Sequence, residues 1–180
     1  MTTSVQGTLR RIQDSNGADY LAVVLNDCAV LQAGRSHLVG MGLGKAIEAR
    51  DTRDGVDNAH VTVMTTAEWG RIRKNKPELL ASIESQLERP VSMAFHGIGN
   101  AMGTKMDRQA WYGILSCDAM TTLRHGLEMQ AKELHVTMAF SPKDVFDASK
   151  GLATMIVPAE QLLNRSTVYK EDIDYGGLGL

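Results

Sequence analysis

His60-Val61-Thr62-Val63 and His135-Val136-Thr137-Met138 are two copies of one short pattern, set 75 positions apart in a 180-residue chain. Each is apolar and β-branched enough to be a strand. On a strand, residues i and i+2 share a face and i+1 turns to the other. His60 and Thr62 therefore point one way while Val61 packs behind them, and His135, Thr137 and Val136 repeat the arrangement. If the two strands neighbour each other in one sheet, two imidazoles and two hydroxyls converge on one cleft.

Outward from the first copy, Thr65 and Glu68 have the spacing of a capping box, which opens a helix along Trp69 and Ile72. Pro77 kinks or restarts it, and Leu79, Leu80, Ile83 and Leu87 carry the stripe to Glu88, with Pro90 as the stop. After the second copy, Ser141-Pro142-Lys143-Asp144 has the parts of another helix start: a capping serine, a proline and an acid. Two similar strand–helix units result, a weak internal repeat.

Other segments fit around these units. Residues 7–12 and 20–25 alternate as strands around the turn Asp14-Ser15-Asn16-Gly17, so an N-terminal hairpin is expected over about 5–26. Residues 38–50 suggest a helix weakened by Gly40, Gly42 and Gly44, and 51–58 a polar loop. Residues 91–96 form a strand candidate leading into a glycine-containing loop, 97–103, and 111–117 another strand. Met120, Leu123, Leu127, Ala131 and Leu134 trace one helical face. The glycine-rich end, about 170–180, is expected to be an exposed tail. Helices fall between strand pairs, which favours a single α+β domain over a doubly wound sheet.

Composition narrows the function. Hydrophobic residues make up 43% and charged residues 22%, with a net charge of −2. A protein gripping long nucleic acid needs a basic excess, so long nucleic acid is not the expected partner. The basic cluster Arg71, Arg73, Lys74 and Lys76 reads as a solvated helix face. No apolar run approaches the ~20 residues that span a bilayer, and the start lacks the layout of a secretory leader. A cytoplasmic protein is expected. Cys28 and Cys117 lie outside any CxxC spacing, and no Cys/His pattern suggests zinc, so neither a metal nor another cofactor is implied. Oligomeric state is not encoded legibly.

An imidazole with a pKa near 6.5 can take a proton while a second gives one, and threonine hydroxyls can donate to phosphate oxygens. That chemistry makes His60, Thr62, His135 and Thr137 the candidate catalytic set. The competing reading is a pair of core histidines. The identical His-Val-Thr and the shared strand setting argue against it. Trp111, Tyr112, Trp69 and Tyr20 are aromatic candidates for stacking on a base, as is Tyr175 if the tail folds over the cleft. His96 reads as a strand-end residue, His37 and His125 as structural or exposed.

The paired motifs resemble the signature of the two-histidine (2H) phosphoesterase superfamily. That group holds tRNA-splicing cyclic phosphodiesterases, RNA 2′,5′-ligase-like proteins and phage anti-CBASS enzymes that destroy cyclic-nucleotide immune signals. The resemblance is carried by the two motifs and the strand–helix order between them, not by residues 1–50 or the tail. It implies a bilobal α+β fold, two pseudo-symmetric sheet lobes with flanking helices and a central cleft, and metal-independent cleavage of phosphodiesters. The expected substrate is a small cyclic nucleotide or oligonucleotide, in the host cytoplasm if the chain is phage-encoded. The alternatives are a 2′,3′-cyclic phosphodiesterase of RNA processing and a module that sequesters a nucleotide without cleaving it.

Overall fold

The computed structural model describes residues 3–164. Strands β1 (Thr3–Gln13) and β2 (Asp19–Leu25) form the expected hairpin. The carboxylate of Asp14 accepts from the backbone N–H groups of Asn16 and Ala18, and Gly17 takes the positive φ that tightens the turn. Helices α1 (Ala29–Gly40) and α2 (Gly44–Asp54) lead to β3 (His60–Met64). Helices α3 (Thr66–Asn75) and α4 (Glu78–Glu84) follow, then β4 (Pro90–Met102), β5 (Gln109–Ser116), α5 (Asp118–Gly126), β6 (Leu134–Ser141) and β7 (Met155–Pro158).

Every strand pairing is antiparallel, in the order β1-β2-β3-β6-β5-β4-β7. β1 also pairs with β4 from Thr3↔Phe95 to Thr8↔Pro90. Gly7 and Thr8 are thus bonded on both edges, to β2 and to β4, and six strands close a ring. The fold is α+β, as the sequence indicated. Where the resemblance implies two sheet lobes, the pairings run continuously, most thinly between β3 and β6. There a single register pair, Val61↔Val136, joins the halves β1-β2-β3 and β6-β5-β4. Val61 and Val136 are buried in the main core, among Leu9, Leu21, Val23 and Phe95.

Several elements differ from the sequence reading. The three glycines at 40, 42 and 44 do not weaken one helix; they bound two, with Gly42 at positive φ between them. α2 runs into the expected loop as far as Asp54, its polar residues paired by Arg50 with Asp54 within the helix and by Arg35 of α1 with Asp51. The stripe beyond α3 stops at Glu84, short of Glu88, which has positive φ.

The expected loop at 97–103 is mostly strand. β4 continues to Met102, and its glycines serve close packing: a Cβ on Gly99 would sit 2.5 Å from the ring of Tyr112. α5 ends at Gly126, so Ala131 and Leu134 do not extend its face. The Arg124 guanidinium holds the chain there, donating to the carbonyls of Gln130 (2.7 Å) and Val63 (2.7 Å) and to Glu68. No helix starts at Ser141. Ser141–Pro142 is a cis peptide, and the carboxylate of Asp144, expected as an acid in a first helical turn, instead binds Arg53 and Lys150. The tail over 170–180 lies outside the described residues.

Candidate active site

The site begins at the β3–β6 seam. With Val61 opposite Val136 in an antiparallel pair, one step either way sets His60 across from Thr137 and Thr62 across from His135. Both valines turn inward, 0% and 2% exposed, which leaves all four polar side chains on the other face. They line one cleft of about 380 Å³. Tyr20 of β2, Arg50, Arg53 and Asp54 of α2, Thr65 and Thr66 after β3, and Asp14, Asp144 and Phe146 complete its walls.

The two rings are set alike. Nδ1 of each is buried without a well-aligned partner. A backbone carbonyl two residues upstream acts on each ring, that of Asn58 on His60 and that of Glu133 on His135. These carbonyls favour a proton on Nδ1, which leaves Nε2 as the nitrogen available to the cleft. Each ring also meets a tyrosine from the strand outside it. Tyr20 lies 6.0 Å from His60 between ring centres, its hydroxyl 3.5 Å from Nε2. Tyr112 lies 5.7 Å from His135, edge-on.

Electrostatics separates the two. Burial lowers both histidines from the ordinary 6.5. The Asp54 carboxylate pulls His60 partway back. His135 falls to about 4, because the Lys150 ammonium adds to the effect of burial. Lys150 is itself buried and donates to Asp144 (3.1 Å), whose other oxygen accepts from Arg53 (2.8 Å). Burial alone would raise the Asp144 carboxyl, but Lys150 and Arg53 hold it below the ordinary carboxylate value. Cation-paired carboxylates thus lie near both rings, Asp144 with Lys150 and Arg53 near His135 and Asp54 with Arg50 and Arg53 near His60; what sets His135 apart is the Lys150 ammonium.

The remaining candidates divide. Tyr112 is fully buried, and its hydroxyl donates to Thr154 (2.6 Å), so it supports His135 rather than receiving a base. Trp111 is on the next residue of the strand, buried, and lines a separate hollow beside Met102 and Met106. Trp69 is core. Tyr175 lies outside the described residues. His96, expected at a strand end, lies within β4 where its register with β5 shifts, and bonds Ser116 (2.7 Å). Among the described residues no three His, Cys, Asp or Glu side chains cluster as a metal site needs. Nor is any helix there long and apolar enough to cross a membrane.

Sequence reasoning missed Arg53, Asp54, Asp144, Phe146 and Lys150. The first two lie in a segment read as loop, Asp144 in one read as a helix start, and Phe146 and Lys150 just beyond it. Only the regular 3.6-residue spacing of Ile47, Arg50 and Asp54 along α2 was there to find, and the three glycines obscured it.

The family model described as "Swiss Army Knife, 2H phosphoesterase domain" matches residues 15–146, a span that contains both motifs and the segments between them. No curated protein and no solved structure matches the chain.

Proposed function

The chain belongs to the 2H phosphoesterase domain family, and from that premise we propose that it is a metal-independent phosphodiesterase acting on a small nucleotide. The observation that carries this reading is the Val61↔Val136 register, which sets two imidazoles and two hydroxyls around one cleft. Pure binding needs no matched acid and base. Two histidines that can move both protons of a transesterification meet its needs without a metal.

We assign His135 the part of base and His60 that of acid. Beside Lys150, His135 rests neutral and ready to accept a proton; beside Asp54, the protonated form of His60 is the better supported. On a 3′,5′ linkage, Nε2 of His135 takes the proton of the ribose 2′-hydroxyl. The oxygen attacks phosphorus, and His60 protonates the departing 5′-oxygen, leaving a 2′,3′-cyclic phosphate. On a substrate that is already a 2′,3′-cyclic phosphate, the same pair activates water and protonates the ribose oxygen that leaves. Thr62 and Thr137 donate to the non-bridging oxygens as charge builds on them.

The cleft's modest volume and the chain's net charge of −2 favour a cyclic di- or trinucleotide, of the kind used as immune signals, over a polymer. The test is incubation, in EDTA, with cyclic dinucleotides, 2′,3′-cyclic nucleotides and 2′,5′-oligoadenylate, followed by chromatography of the products. Cleavage of a cyclic oligonucleotide supports the reading. Cleavage of 2′,3′-cyclic ends alone favours RNA processing, and binding without cleavage of any member sinks the enzyme.

A further inference from the structure

Phe146 stands on the rim of the cleft with 79% of its surface exposed. Among the described residues that line the cleft it is the one wholly apolar side chain. A phenylalanine held in water forgoes the gain of burial, and among the described residues this is the most exposed of the large apolar side chains.

The segment carrying it is neither helix nor strand, yet it is fixed on both sides. The carboxylate of Asp144 accepts from the N–H of Val145 (2.7 Å), and Val145 is fully buried. The Asp147 carboxylate accepts from the hydroxyl of Thr104 (2.6 Å). Glu133 accepts from the Ser149 hydroxyl (2.8 Å) and the Lys150 N–H (2.8 Å). Anchors at 144, 145, 147, 149 and 150 hold the ring out over the cleft. The Lys150 ammonium lies 5.8 Å from its centre, a cation–π contact that further fixes the ring.

We propose that Phe146 is a stacking platform for the nucleobase of the substrate and sets the preference for nucleotides over simple phosphate esters. The proposal rests on the nucleotide reading of the cleft and adds which side chain receives the base. The flanking group at that end is the Asp144–Lys150–Arg53 cluster beside His135, so the stacked base lies on the His135 side of the phosphate. An aromatic face accepts any base, which makes the expected selectivity one for bases in general, not for one of them.

The test is calorimetric binding of adenosine 2′-monophosphate and of ribose 2-phosphate, the same ligand without its base, to the wild type, F146A and F146W. Because no turnover is read, the result stands apart from whether any diester in the panel is cleaved. The wild type should bind the nucleotide more tightly than the sugar phosphate. F146A should shrink that preference about tenfold, the size base–aromatic stacking carries, and F146W should keep it. The proposal is overturned if F146A weakens both ligands equally, if it changes the preference less than threefold, or if the wild type shows no preference.

Discussion

Val61 faces Val136 across the seam between β3 and β6, and this one register pair joins the two halves of the sheet there. The two valines are the middle residues of the two His-Val-Thr motifs. A single contact therefore fixes both the packing of the seam and the convergence of the site.

That dependence can be measured. Val61→Ala and Val136→Ala should each lower stability in urea unfolding by about 1–3 kcal/mol, since each deletes buried methyl groups. The double variant should depart from the sum of the singles by about 0.5 kcal/mol or more, as residues in contact do. Simple additivity would mean that the seam does not couple the halves.

Gly99 links the sheet to the site through Tyr112. A Cβ at 99 would lie 2.5 Å from the Tyr112 ring and 3.0 Å from Ile114. Gly99→Ala should cost about 1–3 kcal/mol of stability by overpacking. It should also lower kcat, because the displaced ring is the one edge-on to His135. A stable, fully active variant would remove Tyr112 from the account.

His135 makes stability depend on pH. In the fold it stays neutral down to about 4, whereas in the unfolded chain it takes a proton near 6.5. The unfolded state then binds more protons across that window, so this contribution is full above pH 6.5 and is lost as pH falls through 4. Its size is on the order of 3 kcal/mol. His135→Gln should flatten the fall in unfolding free energy between pH 7 and 4.5 relative to the wild type; parallel curves would contradict the burial of a neutral ring.

The same shifts set the rate profile. A base that is neutral above about pH 4 and an acid held below 6.5 give a bell for kcat/KM centred on the acid side of 6.5, reporting the coupled pair. Lys150→Met removes a cation that lowers His135, so the acid limb should move to higher pH. An optimum well above 7 in the wild type would contradict the lowering of both rings by burial.

Thr62→Ala and Thr137→Ala should slow kcat by about 10–1000-fold, the range for losing one donor to a developing negative charge. Effects confined to KM would make the hydroxyls ground-state binders instead.

The site's four central residues were legible because a strand's period of two is rigid: His-x-Thr fixes a shared face wherever the strand lies. The hairpin around Asp14 and the capping box of Thr65 and Glu68 were legible for the same reason, that local chemistry dictates them. What stayed hidden depended on distant partners. The glycines at 97 and 99 signal a loop locally, but β5 and β7 lie against them and make them strand. Asp144 signals a helix start locally, but Arg53, 91 positions earlier, and Lys150 claim its carboxylate. The charged wall of the cleft comes from such long-range pairings, and no spacing rule within one segment encodes them.

The most direct test of the account is steady-state turnover, in EDTA, of the best substrate from the nucleotide panel by the wild type, His60→Ala and His135→Ala, with circular dichroism to check that each is folded. The acid–base pair predicts that each folded single variant loses at least about 100-fold in kcat, the lower end of what a positioned acid or base supplies. Either variant turning over at close to the wild-type rate would contradict it.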